Sequence, residues 1–470
     1  MFASLKQITA PTNKDLRKRI YFTLGALLIF IIGTNLRVPV SQTKQLTDNL
    51  GFLDLLNAMG GGALKNFSIL ALGVSPYITA SIIIQLLEMD IIPYFAELSK
   101  EGPVGRRKLN EITRYVGIAF AFLQGYAFSY AFMGNASSLD YLYVAVVLTA
   151  GTAFCLWLGD QITQKGIGNG ISLMIMAGII ATLPNTFITA FNELVLGGGV
   201  LWLGILKFVG FVLAYFLIII GVIYVSEAER RIPLQYANRT TGSYGSEQSF
   251  LPIKLNTASV MPVIFASSLL AIPATIASFV SNQGFKDFVN EYLTYTKPVG
   301  FVVYIVLIFL FGYFYTFLQL KPNDVADNLK KNGGYIPGVR PGDDTAKHVK
   351  FVLSRITVTG TILLIILAII PIVVQQLTGL SAGGAIGGTG ILIVVGVALE
   401  TYKQLEGSLA TRNYKKSRGR RWKISFLLPL PQLVRALWVK YLLKSMAINI
   451  YQQEISYVKW LNKMMTWDVV

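Results

Sequence analysis

Ten stretches of the chain are almost wholly apolar, and each is separated from the next by a polar or glycine-rich break. They run Ile20–Leu36, Ile69–Ile92, Tyr115–Met133, Tyr141–Leu158, Ile167–Leu183, Leu201–Val225, Ala258–Val280, Val299–Leu320, Val352–Val374 and Gly388–Leu405. Roughly 20 apolar residues cross the hydrocarbon core of a bilayer. The pattern therefore predicts ten transmembrane helices and an all-α polytopic membrane protein. Composition narrows this further: hydrophobic residues make up 53% of 470 and charged residues 14%, which argues against a soluble multi-domain enzyme.

Lys and Arg fall on alternate breaks. The N-terminal arm carries Lys14, Arg17, Lys18 and Arg19, and the break after segment 2 carries Lys100, Arg106, Arg107 and Lys108. The break after segment 6 holds Arg230, Arg231, Arg239 and Lys254; that after segment 8 holds Lys321, Lys330, Lys331, Arg340, Lys347 and Lys350. The intervening breaks Gly134–Asp140, Pro184–Val200 and Gln375–Gly387 have neither residue. The positive-inside rule puts the basic breaks, and with an even number of spans both termini, in the cytoplasm. Met1–Arg19 is polar and basic, and no small-residue cleavage site follows segment 1, so no cleavable signal peptide is expected. The net charge of +17 is thus concentrated on one face. Attraction to anionic lipid accounts for the N-terminal arm. The breaks after segments 6 and 8 are longer than topology requires, which favours a docking site for a soluble, partly acidic or RNA-containing partner.

Segment 2 contains Pro76-Tyr77-Ile78-Thr79-Ala80-Ser81 and segment 7 contains Pro262-Val263-Ile264-Phe265-Ala266-Ser267. Both read P-x-I-x-A-S. Five spans separate them, an odd number, so two five-helix halves would sit inverted relative to each other. Prolines here are expected to permit kinks, with simple packing kinks the plainer alternative. Ionisable residues are nearly absent at mid-depth: Lys207 lies near an outer end, and Glu88, Asp90, Glu227 and Glu400 near cytoplasmic ends. An ion-coupled transporter keeps a ligand there. The candidate interior residues are aliphatic instead: Val74, Ile78, Ile171, Ile175, Ile264 and Ile393. Branched aliphatics can close a passage by dewetting and still yield to something bulky; ordinary helix packing is the alternative for each.

Enzyme chemistry finds no support. One histidine, His348, in a basic loop and one cysteine, Cys155, in an apolar run cannot build a common zinc site, and no nucleophile–base pairing or cofactor motif is present. Gly166-Ile167-Gly168-Asn169-Gly170 lacks the preceding strand of a phosphate loop and reads as a tight turn feeding segment 5. Gly60-Gly61-Gly62, after the short amphipathic run Phe52–Asn57, suits either a half-helix on a glycine hinge or a surface helix.

At these residues the chain resembles the bacterial SecY family, the channel subunits of the general protein translocase. The carrying segments include Gly61–Leu64, Ala71–Leu87, Gly105–Lys108, Lys165–Ser172, Pro262–Ser268, Ala326–Lys331 and Ile336–Gly342, in a resemblance covering roughly 17–406. It implies two inverted five-helix halves around a central pore, opening about a hinge between segments 5 and 6, with no cofactor of its own. Segments 2 and 7 would form a lateral gate, involving Pro76, Thr79, Ser81, Gln124, Asn256, Pro262 and Ser267. The pore ring would be Val74, Ile78, Ile171, Ile175, Ile264 and Ile393, with Val74 standing where isoleucine is commoner. The plug would cover about 52–65, with Phe52, Leu55, Leu56, Gly60, Gly61, Gly62 and Leu64. Arg230, Arg231, Arg239, Lys254 and Arg340 would dock the motor ATPase SecA or the ribosome. SecE-like and SecG-like small subunits, signal peptides and nascent chains, and anionic lipids complete the implied partners, in the bacterial cytoplasmic membrane.

The expected division is a basic arm (1–19), an N-terminal half (20–190), a C-terminal half (191–406) with cytoplasmic loops at about 226–257 and 321–350, and a basic tail (407–470). Beyond about Arg421 the resemblance ends. Two prolines and interspersed Arg435, Lys440 and Lys444 disfavour a spanning hairpin there; an appended sequence or an interfacial amphipathic helix remain. Two rival functions are an accessory paralogue with few substrates and a small-solute transporter.

Overall fold

The computed structural model describes residues 14–39, 57, 59–88, 92–133, 137–197, 201–236, 249–279, 283–293, 297–380 and 390–408. Phe52, Leu55, Leu56, Arg239 and the tail beyond 408 lie outside the described residues. One compact unit covers Met1–Gln404; of the second, Leu405–Val470, four residues are described and are helical.

Each of the ten apolar segments carries a helix. In chain order these are α1 (Lys14–Thr34), α2 (Ser75–Leu87), α4 (Pro103–Met133), α5 (Ser138–Lys165), α6 (Gly170–Phe191), α7 (Leu201–Glu227), α8 (Met261–Phe279), α10 (Pro298–Gln319), α12 (Asp343–Thr378) and α13 (390–408). Short helices α3 (Pro93–Lys100), α9 (Gln283–Tyr292) and α11 (Pro322–Lys331) lie between them. Five helical stretches, those of α5, α6, α7, α10 and α12, are long and apolar enough to cross a membrane by length and composition.

Local chemistry sets the helix starts. A capping box joins Ser137 and Asp140 ahead of α5, and Asn169 Oδ1 accepts from the N–H groups of Ile171 (3.1 Å) and Ser172 (3.5 Å) ahead of α6. The turn expected at 166–170 is therefore a built helix cap. Pro76, Pro93, Pro298 and Pro322 open their helices, where a missing N–H costs nothing.

Several sequence expectations require correction. Segment 2 does not form a spanning-length helix: 60–74 is a series of turns and α2 has 13 residues, about 20 Å of rise. Gly73, at φ 52°, breaks it; Gly61 (72°) and Gly62 (81°) turn the chain ahead of it, just after the helical residues 57 and 59. Pro76 and Pro262 start α2 and α8 instead of kinking them; the prolines inside helices are Pro184, Pro273 and Pro371. The break expected from Pro184 is helical through Phe191 and continues as a π turn, Asn192–Leu196. Its rings explain this: Phe187 and Phe191 pack on Phe208, Phe211 and Tyr215 of α7, at centroid separations of 5.2–5.9 Å. The basic residues Arg106–Lys108 lie on α4, and Lys347, His348 and Lys350 on α12, because both helices begin well before their apolar runs.

Among the described residues, the helices are joined by a three-stranded antiparallel sheet, order β2-β1-β3, from β1 (Glu229–Tyr236), β2 (Ser249–Lys254) and β3 (Gly334–Tyr335). Glu229 pairs with Lys254 and Leu234 with Ser249, while Gln235 pairs with Tyr335. The long breaks after segments 6 and 8 are thus one folded body. Its core of Ile232, Leu234, Ile253, Leu329, Ile336, Val349 and Leu353 is separate from the main one.

Candidate functional site

The six aliphatic candidates arrive from four places: Val74 and Ile78 from the start of α2, Ile171 and Ile175 from α6, Ile264 from α8 and Ile393 from α13. All belong to one continuous apolar cluster, five of them buried and Ile171 partly buried. Ile171 also leans on α5, where a side chain on Gly159 would sit 3.1 Å from it, so part of its role is ordinary packing. The repeat places its members alike: the helix begins at Ser75 and at Met261, the residue before each proline. Val260 holds the same offset as Val74 and is equally buried, 4% against 5%. Sequence reasoning missed Val260, although the repeat itself carried the signal.

Met59 joins the same cluster from the glycine-rich turns. That segment is seated closely on α6. A Cβ on Gly178 would lie 2.5 Å from the Met59 carbonyl oxygen and 2.9 Å from the Gly61 nitrogen. Glycine is required there because nothing larger permits the approach. Leu64 points elsewhere, into a second cluster with Phe67, Phe128 and Phe132. Gly60 is buried and Gly62 half-buried, with Thr182 of α6 nearest to the latter.

α2 and α4 both pack against α8. Of the residues expected at the gate, Pro76, Thr79, Pro262 and Ser267 are buried and Ser81 and Gln124 half-buried. Ser267 Oγ donates to the Val263 carbonyl and is hydrogen-bonded to the Tyr304 hydroxyl; Ser81 Oγ accepts from Gln85 Nε2 at 3.0 Å. Asn256 Nδ2 donates to the Ser259 carbonyl at 3.0 Å, holding a turn whose Ser259 has φ 53°. Its amide therefore shapes the entry to α8. α13 touches both halves, with Gly390 against Ile179, Gly168 against Thr401 and Gly396 against Val260.

A polar cavity of about 140 Å³ adjoins the cluster at the sheet-bearing end, lined by Asn169, Ser172, Lys254, Asn256, Glu400 and Lys403 among others. Water is stable in such a cavity and unstable among branched aliphatics. The polar cavity therefore lies beside an apolar cluster that excludes water.

Arg230, Arg231 and Lys254 are exposed on the hairpin, and Arg340 is exposed on a turn between Gly338 (φ 82°) and Gly342 (φ 107°). The Arg340 carbonyl accepts from Thr345 Oγ1 at 2.8 Å, tying that turn to α12. No group of three or more potential metal ligands occurs among the described residues.

The SecY family model matches residues 68–402. The protein translocase subunit SecY of Staphylococcus aureus is 47% identical over 420 residues, covering 87% of this chain and 98% of that protein. A solved protein-conducting channel superposes with a TM-score of 0.61 at 20% identity, over 83% of this chain and 92% of that one. The Sec61 chain of a canine ribosome–channel complex gives 0.60 at 21%, over the same shares.

Proposed function

This chain belongs to the SecY family of protein-conducting channels, and from that premise we propose how its residues divide the work of moving polypeptides. The observation that carries the reading is that the six aliphatics, brought from α2, α6, α8 and α13, share the main apolar cluster of the bundle, with a polar cavity beside it. A translocating chain presents side chains of every kind, so a specific binding site would retain it. A compliant aliphatic ring of Val74, Ile78, Ile171, Ile175, Ile264 and Ile393 excludes water and small ions at rest and parts around a polypeptide. The segment at about 52–65 is the plug, held at rest by the Gly61–Gly178 contact.

The halves meet along α2 and α4 against α8, which is the lateral gate, and remain joined by α13 and by the aromatic packing of α6 on α7. A charged residue at a helix centre costs about 2.5–3.5 kcal/mol in lipid. A side opening therefore sorts segments by apolarity, releasing apolar ones to the bilayer and retaining the rest for transport. Energy comes from a motor or a translating ribosome docked on the sheet body through Arg230, Arg231, Arg239, Lys254 and Arg340. SecE-like and SecG-like subunits brace the bundle in the bacterial cytoplasmic membrane.

Cys155 is the lone cysteine and is fully buried. The test replaces it by serine, installs Ile78→Cys or Ile264→Cys, and seeks a disulfide to a cysteine in a stalled secretory precursor. Crosslinks at both positions, absent from Leu142→Cys on the exposed face of α5, are expected. Absence of both crosslinks in a folded, motor-supplied channel would overturn the ring.

A further inference from the structure

We infer that the groove where β1 leaves α7 and meets α12 binds the phosphate of an anionic membrane phospholipid. The groove has a volume of about 560 Å³ and is lined by Glu229, Arg230, Arg231, Leu255, Arg355 and Thr359, among others. Three arginines and one carboxylate are among its lining residues. That carboxylate is occupied, Arg231 Nε donating to Glu229 Oε1 at 2.8 Å. Arg230 and Arg355 have no ion pair among the described residues. A guanidinium matches a phosphodiester with two parallel N–H donors, which an ammonium cannot do.

Depth favours a lipid over a free anion. The apolar run of α7 ends at Val225 and that of α12 begins at Val352, so Arg230 and Arg355 both lie within a few residues of the apolar limits. Basic pockets at that level between spanning helices suit lipid headgroups. Tyr224 and Phe351 are exposed next to those limits, at 75% and 54%, as expected of rings at a membrane–water boundary, and Phe250 is exposed on β2, at 46%. Two of them orient the cations: the Arg231 guanidinium lies 4.8 Å from the Phe250 centroid and that of Arg355 lies 4.3 Å from Phe351. Leu255 and Ile356 offer apolar surface to the first acyl methylenes.

The groove is also rigid. The Leu255 N–H donates to the Ala228 carbonyl at 2.8 Å, closing the hairpin base. α12 touches that base directly, for a Cβ on Gly360 would lie 2.1 Å from the Leu255 carbonyl oxygen.

The inference rests on α7 and α12 crossing the membrane and is independent of the ring assignment, so lipid retention is read without any transport assay. The full-length channel is reconstituted in nanodiscs of mixed phosphatidylglycerol and phosphatidylcholine, extracted in mild detergent, and its retained lipids are counted by native mass spectrometry. Arg355→Gln is expected to lower tightly held phosphatidylglycerol about tenfold, with phosphatidylcholine unchanged and Arg355→Lys intermediate. Arg230→Gln, on an exposed strand, gives the same direction if Arg355→Gln does not fold. Equal phosphatidylglycerol in wild type and variants would overturn the site. So would its displacement by inorganic phosphate alone, or loss of a co-purifying protein subunit with lipid unchanged.

Discussion

α2 and α8 begin with the same P-x-I-x-A-S run and bury the same two aliphatic positions, yet their flanks have nothing in common. Ahead of α2 lie glycine-rich turns pressed on α6; ahead of α8 lies a turn held by Asn256 that continues directly from β2. The helix starts are interchangeable solutions to one packing problem, a proline-initiated helix delivering branched side chains to the centre. The flanks are where the two part company, one pressed on α6 through Gly61 and Gly178 and the other running into the sheet.

The largest effects test the likeness. Ile78→Ala and Ile264→Ala each remove a buried side chain from the shared cluster and should cost about 2–5 kcal/mol of stability, with similar rises in ion leak across reconstituted vesicles. A leak from one position alone would break the equivalence.

The next pair tests the difference. Gly178→Ala forces a methyl into the Met59 and Gly61 backbone, and Gly360→Ala into the Leu255 carbonyl, each at about 1–3 kcal/mol. The first is expected to raise leak with motor docking intact, and the second to lower motor-driven translocation without leak. Identical phenotypes would mean the two flanks are not specialised.

Smaller effects follow at the seam. Ser267→Ala leaves the buried Tyr304 hydroxyl without this partner and should cost about 1–3 kcal/mol, whereas Ser81→Ala, at a half-buried site, should cost about 0.5–1.5 kcal/mol; thermal unfolding measures both. The smallest change is Val74→Ile. One added methylene, worth about 0.8 kcal/mol when buried without strain, should reduce resting conductance slightly, and Val260→Ile should do the same if the offset positions are equivalent.

Much of the fold was legible beforehand, because apolar runs report helices and the repeat reports two alike, proline-initiated helix starts. The boundaries were harder. Segment 2 reads as one apolar run, but Gly73 adopts a left-handed backbone that hydropathy does not register. Pro184 reads as a helix end, and the aromatic packing that carries α6 past it comes from α7, distant in sequence until folding. The sheet was hidden for the same reason. Ile232 and Leu234 alternate with exposed residues over a few positions only, and their burial partners Leu329, Ile336 and Leu353 arrive from another break.

That last arrangement has a consequence for biogenesis. β3 emerges roughly a hundred residues after β1, about 5–20 s later at bacterial rates of synthesis. Until α10 has been made and inserted, the hairpin has no strand beyond β1 and no floor beneath Ile232, Leu234 and Ile253. The sheet body is therefore completed late in synthesis, and until then the apolar faces of Ile232, Leu234 and Ile253 wait uncovered.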